Sequence, residues 1–124
     1  MALKLVFIGR NTEQTSRYFK EFLEANKEQV RILTYHDGAS APWRSPRSAQ
    51  LKDGTMIYRA PSSLDRLDGL RIDQVIVACD HRGVYNWPES RLALLQELIH
   101  RAAMSDRILD QDRVIIYELN EQEA

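Results

Sequence analysis

Apolar positions along this chain follow two alternating rhythms, one of strands and one of helices. Leu3 to Ile8 is apolar except for Lys4 and stops at Gly9, which predicts a first strand. Tyr18, Phe19, Phe22 and Leu23 recur at helical spacing. The helix they mark can be capped by Asn11 or Thr12, with Glu13 and Gln14 in its first turn. Val30 to Tyr35 alternates weakly and ends at the turn signal His36-Asp37-Gly38, a second strand. Ala39 to Gln50 holds Pro42, Pro46 and several small residues and reads as a loop. The tight turn Lys52 to Thr55 then joins a short strand near Gln50-Leu51 to Met56–Arg59. Ser62 or Ser63 can cap one helical turn through Leu67, ended by Gly69. Val75 to Cys79 is an unbroken apolar run that fits a strand buried on both faces, and Asp80 closes it. After a loop from His81 to Pro88, the positions Leu92, Leu95, Leu98 and Ile99 mark a helix from Pro88 to Met104. Arg113 to Leu119 is a last strand.

This order predicts an α/β protein: a three-layer α/β/α arrangement with a mostly parallel sheet and a β-hairpin inserted before the Asp80 strand. Residues 1–119 form one domain and 120–124 a polar tail. Composition changes this picture little. The 124 residues are 44% apolar and 28% charged, as in an ordinary soluble domain. A net charge of −1 excludes a generic polyanion binder. The single cysteine, Cys79, has no intramolecular disulfide partner, so a reducing cytoplasm is the expected setting. No apolar run approaches the roughly 20 residues that span a bilayer, so no membrane contact is expected. The short stretch Leu5 to Ile8, between Lys4 and Arg10, reads as a strand and not as a signal peptide.

Asp80 carries the first chemical suggestion. An acid at the carboxyl end of a buried strand points into the crevice where α/β proteins bind ligands. In nucleoside triphosphatases such an acid holds magnesium, and a water-orienting residue completes the set. Three segments resemble the middle of a phage terminase large-subunit ATPase domain. They are the hairpin Gln50 to Tyr58 with its Asp53-Gly54 turn, Leu64 to Leu70 with Leu67-Asp68-Gly69, and Ile72 to Asp80. Val6 to Arg10 and the helix through Phe22 are similar to the strand-helix unit beyond the ATP-binding loop in helicases and terminases. The segments 88–104 and 113–119 match the helix and strand beyond the acidic strand of that family.

The resemblance implies a P-loop-NTPase-like fold and a phage origin. It also implies a degenerate nucleotide site at Gly9, Ser16 and Asp80. The departures limit what that site can do. A phosphate loop needs Gly-x-x-x-x-Gly-Lys-Ser/Thr. Gly9 to Ser16 is the nearest stretch, but Gln14 stands in place of the second glycine and Thr15 in place of the lysine. His81 stands where a glutamate belongs, and neither Arg10 nor Arg82 restores the loop. The expectation is a non-catalytic, ATPase-like binding or regulatory protein that contacts nucleic acid or a protein partner. Asp80 also reads simply as the cap of the Arg82-Gly83 turn.

Basic residues gather in the middle of the chain. Arg44, Arg47, Lys52 and Arg59, with Trp43 among them, can hold phosphates and stack bases. The same composition suits a solvated loop, and Ala39 to Ser48 also suits a segment that orders on a protein partner. A competing constellation makes His36, Asp37, Asp80 and His81 ligands of magnesium or another divalent metal. That reading gives a phosphoesterase or nuclease, provided the two strands that end there are neighbours. Turn-forming Asp-Gly with solvated histidines accounts for the same residues. Cys79 reads as a small buried hydrophobe, and His100 as a cation near a helix end. Val84, Tyr85 and Trp87 either close over the core or form an exposed patch.

Overall fold

The computed structural model describes residues 2–35, 45–63 and 71–119. Six strands and two α-helices are formed among them: β1 Lys4–Ile8, α1 Thr12–Ala25, β2 Val30–Thr34, β3 Ser48–Leu51, β4 Met56–Arg59, β5 Gln74–Cys79, α2 Glu89–Ala103 and β6 Val114–Glu118. The strands make one sheet in the order β2-β3-β4-β1-β5-β6. β1 is parallel to both its neighbours, with Leu5 opposite Ile57 and Val6 opposite Val75. β6 continues the parallel part beside β5. β3 runs against both β2 and β4. The α/β class and the mostly parallel sheet expected from the sequence are therefore present.

Strand alternation distributes the core. Leu5, Phe7, Ile76 and Ala78 lie on one face with Tyr18, Phe19 and Leu23 of α1. Val6, Ile8, Val75, Val77 and Cys79 lie on the other with Leu94, Leu95 and Leu98 of α2. β1 and β5 are thus buried on both sides, which is why Leu5 to Ile8 and Val75 to Cys79 are unbroken apolar runs. Each fully buried leucine of α2 contributes about 1.5–3 kcal/mol. Phe7 stacks at 5.4 Å on both Phe19 and Phe22, and Tyr117 of β6 closes the same aromatic group at 5.8 Å.

Several local expectations need correction. The loop expected through Gln50 ends earlier, because Ser48–Leu51 is a strand that pairs on both sides. Its small residues fit between neighbours: Ser48 and Ala49 are buried. The hairpin expected before the Asp80 strand is present as β3 and β4, with β4 directly against β1. Its turn is built as expected. The Asp53 carboxylate accepts the Thr55 N–H at 2.9 Å, and Gly54 takes the left-handed φ of 91° that an L side chain resists. Asn11, of the two candidates, caps α1. The helical turn expected to run from Ser62 to Leu67 reaches into residues 64–70, outside the described residues, as do 36–44 and 120–124.

The buried face of α2 is rotated from the expected one. Arg91, Leu94, Leu95, Leu98 and Ala102 are buried, whereas Leu92 and Ile99 are only partly covered. In the turn before α2, Trp87 is buried and Val84 packs against the same cluster, while Tyr85 projects outward, 78% exposed.

Candidate functional site

The chain leaves β1 toward β2 with α1 on one face and leaves β5 toward β6 with α2 on the other. The direction of winding therefore reverses between β1 and β5. In α/β sheets the crevice at the carboxyl ends of two such strands is the usual ligand position. Here it is lined by Arg10 and Gln14 from the start of α1, Cys79 and Asp80 from the end of β5, and Asn86 and Trp87 from the turn beyond it.

The chain fills this crevice with its own groups. The Asp80 carboxylate accepts the Arg82 backbone N–H at 2.9 Å and the Arg82 guanidinium at 3.0 and 2.6 Å. Those bonds, the guanidinium first, hold its carboxyl below the ordinary aspartate range. At the start of α1, Asn11 Oδ1 accepts the Gln14 N–H at 2.7 Å, taking the place an anion would have. Thr15, at the position of a phosphate-loop lysine, is 1% exposed. Its hydroxyl donates to Asn11 O at 2.6 Å and accepts the Gly9 N–H at 2.9 Å. The approach is close: a Cβ at Gly9 would stand 3.1 Å from Thr15 N. What remains of the crevice is ≈ 50 Å³, room for a few waters and far below the ~300 Å³ of a small-molecule pocket.

Arg91 locks the arrangement from below. This residue is 5% exposed, and its guanidinium donates to Gly9 O at 3.1 and 3.3 Å, Thr15 Oγ1 at 2.9 Å and Pro61 O at 3.2 Å. No carboxylate pairs with it among the described residues, and burial pushes its pKa down. Helix α2, the β1–α1 connection and the segment after β4 are thereby held at one point. Sequence patterns pointed to neither Arg91 nor the buried Thr15. The spacing of Arg91 to Leu94, Leu95 and Leu98 carried the signal for the first.

The expected site residues divide. Gly9 lies sealed beneath Thr15 and Asp80 lies in the crevice. Ser16 faces the other way, accepting from Arg59 Nη1 of β4 at 3.2 Å. With β1 between β4 and β5, the three are not gathered around one point. Arg47 and Arg59 come together at the carboxyl end of β4, where Arg59 N–H donates to Arg47 O at 3.0 Å. Burial, and then the neighbouring Arg47 charge, lower the pKa of Arg59. Neither arginine has a carboxylate in ion-pair contact among the described residues. Beside them a hollow of ≈ 550 Å³ runs along α1, lined by Ser16, Arg17, Lys20 and Ser45 together with Glu13, Glu21 and Glu24.

Lys52 does not join this group. It lies in the turn before β4, at the opposite end of the sheet, where its N–H donates to Gln29 O. Trp43 and Arg44 fall outside the described residues, as do His36 and Asp37. The metal constellation required neighbouring strands, and that condition fails. β2 and β5 are separated by β3, β4 and β1, about 19 Å between strand axes. His81 is exposed beside Asp80, and among the described residues no three histidine, cysteine or acidic side chains gather as metal ligands. Cys79 is buried; burial first, then Asp80 and Glu118, push its thiol up and away from nucleophilic use.

The fold and crevice define a class: an α/β domain with a ligand-type switch point closed by its own side chains. Comparison with family models, curated proteins and solved structures gives no match to this chain. No helix among the described residues is long and apolar enough to cross a membrane.

Proposed function

We propose that this protein is a non-catalytic binding module on a P-loop-NTPase-like, three-layer frame related to the terminase ATPases, of phage origin, and that its ligand is nucleic acid. The carrying observation is the pair Arg47 and Arg59. The two residues are joined through their backbones at the end of β4, neither has a carboxylate in ion-pair contact among the described residues, and Arg59 is partly buried. Juxtaposed like charges are destabilising alone and favourable once an anion bridges them. The backbone phosphate of a nucleic acid has the charge and the bidentate geometry to do so. The adjoining hollow mixes Arg17 and Lys20 with Glu13, Glu21 and Glu24, so the phosphate contact is assigned to the arginine pair, with Trp43 and Arg44 close in sequence.

The narrow crevice supports a module without ATP turnover. Thr15 and Asn11 occupy the phosphate position, and Asp80 is committed to Arg82. The frame serves to present the basic surface, and regulation by occupancy, not by hydrolysis, is its mode of action.

Fluorescence anisotropy with labelled single- and double-stranded oligonucleotides across a salt series tests this. Wild type is expected to bind with log K falling linearly in log salt. Arg47→Glu weakens binding, and Arg59→Gln lowers the slope by about 0.7–0.9, the share of a single phosphate. Salt-independent binding, no binding to either form, or unchanged affinity in both variants would overturn the proposal.

A further inference from the structure

The two edges of the sheet are built differently. β2 carries Arg31, and its pairing with β3 shifts register between Val30 and Ile32. Irregular pairing and an outward cation are ordinary protections against strand addition. β6 has neither. Its register with β5 runs unbroken from Val114 to Glu118, with no proline or basic residue among those five. Val114, Ile115 and Ile116 are 36, 39 and 59% exposed, and Met104 and Leu109, on the connection leading into β6, are 74 and 66% exposed.

The backbone of this edge is also open. Arg113 O accepts the Val75 N–H, and Leu119 N–H donates to Cys79 O. In a parallel pair the odd-numbered residues of β6 therefore turn their peptide groups toward β5. Val114, Ile116 and Glu118 turn theirs outward, a ladder without a backbone partner among the described residues.

Charge at the two ends of the ladder selects its occupant. Asp112 precedes the strand and Glu118 ends it, and neither forms an ion pair among the described residues. Arg113 is already held by Asp110 at 2.8 Å and by the carbonyls of Ala102 and Ser105. Two copies paired antiparallel about Ile115 would set Asp112 of each opposite Glu118 of the other, a like-charge contact. We propose that β6 is a strand-addition site for a partner protein that offers an extended apolar segment flanked by basic residues. The partner's backbone pairs with Val114, Ile116 and Glu118, its apolar side chains cover Ile115, Ile116 and Leu109, and its flanking cations meet Asp112 and Glu118. This surface lies across β5 and β1 from Arg47 and Arg59, so it stands or falls apart from the nucleic-acid proposal.

The test appends a short Thr/Val/Ile strand with lysine at both ends after Ala124, through a Gly/Ser linker. The tether sets its local concentration at roughly millimolar. A second fusion carries glutamate at both ends instead. Amide hydrogen exchange is read residue by residue. In the lysine-flanked fusion Val114, Ile116 and Glu118 are expected to exchange about tenfold more slowly than in the unfused chain. The glutamate-flanked fusion stays near the unfused rate, and the double change Asp112→Lys with Glu118→Lys reverses the preference. Ile116→Lys, at an exposed position that leaves the fold intact, removes the slowing. Unchanged exchange in the lysine-flanked fusion overturns the proposal. Equal slowing by both fusions does so too. Slowing in the unfused chain that grows with protein concentration would assign the edge to a second copy instead.

Discussion

Replacing Arg91 is the sharpest probe of how this fold is held. Arg91→Ala takes charged donors from Gly9 O, Thr15 Oγ1 and Pro61 O. Hydrogen bonds from a charged group contribute about 1.5–3 kcal/mol each. Desolvation of an arginine that lacks a carboxylate partner offsets several kcal/mol of that sum. The stem adds its own part, since three buried methylene groups are worth about 0.8 kcal/mol each. Thr15 loses least, because its hydroxyl keeps Asn11 O and the Gly9 N–H. The net expected loss is about 3–5 kcal/mol, a large share of the ~5–15 kcal/mol that stabilises a domain.

Urea titration followed by Trp87 emission, in a Trp43→Phe background, measures it. With an m-value near ~2 kcal/mol/M the midpoint falls by roughly 2 M. Two companion variants separate the causes. Arg91→Met keeps the stem and loses the donors, and is expected to recover about 1–2 kcal/mol relative to alanine. Arg91→Lys keeps the charge but offers one ammonium to acceptors on three segments, so it recovers only part of the loss. A methionine variant at least as stable as wild type would refute the reasoning. It would mean that the guanidinium bonds do no more than repay its desolvation.

Gly9→Ala should destabilise the chain by about 1–3 kcal/mol in the same titration, because its Cβ meets Thr15 backbone at 3.1–3.3 Å; unchanged stability would mean that the start of α1 yields. Asp73 is fully buried and accepts Lys4 N–H at 2.9 Å and the Ser105 hydroxyl at 2.5 Å. Burial opposes its charge, but the Ser105 and Lys4 bonds with Arg107 and Arg71 outweigh it and hold its pKa below the ordinary value. Its contribution is therefore complete above the unfolded value of ~3.9 and lost as pH falls through the lower folded value. Asp73→Asn should cost about 1–3 kcal/mol at neutral pH and flatten the acid side of the stability curve; an equally steep acid limb would count against this account. Magnesium-ATP should raise the melting temperature of neither wild type nor Arg82→Ala. A shift confined to the variant would show that Arg82 masks a working nucleotide site at Asp80.

The features legible in the sequence were those that depend on neighbours along the chain. Val75 to Cys79 could only be a doubly covered strand, Asp53-Gly54 could only be a turn, and Asn11 stood where a cap belongs. Those that escaped depend on contacts distant in sequence. Ser48–Leu51 has little strand character of its own and becomes a strand because β2 and β4 flank it. Arg91 reads as a surface residue until Gly9, 82 positions away, supplies its acceptor. The metal constellation rested on two strand ends being adjacent, and no local pattern reveals that three strands lie between them. Lys52 and Arg59 are seven positions apart yet sit at opposite ends of the sheet, because the chain turns at Asp53-Gly54 and climbs the length of β4 between them.

These contacts also explain how the crevice at the switch point is kept narrow by the chain itself. A nucleotide loop is stable because phosphate satisfies the N–H groups at a helix start and balances the positive end of its dipole. Here Asn11 Oδ1 accepts one such N–H, from Gln14, the Thr15 hydroxyl accepts the Gly9 N–H ahead of the helix, and Arg91 donates to Gly9 O and Thr15 Oγ1. A phosphate arriving at Gly9 would have to displace three hydrogen-bonded side chains and open the Gly9–Thr15 contact. Thr15 is thus the hub that holds the start of α1 against the end of β1. The two surfaces proposed for recognition, the arginine pair at the end of β4 and the outer edge of β6, do not line this crevice.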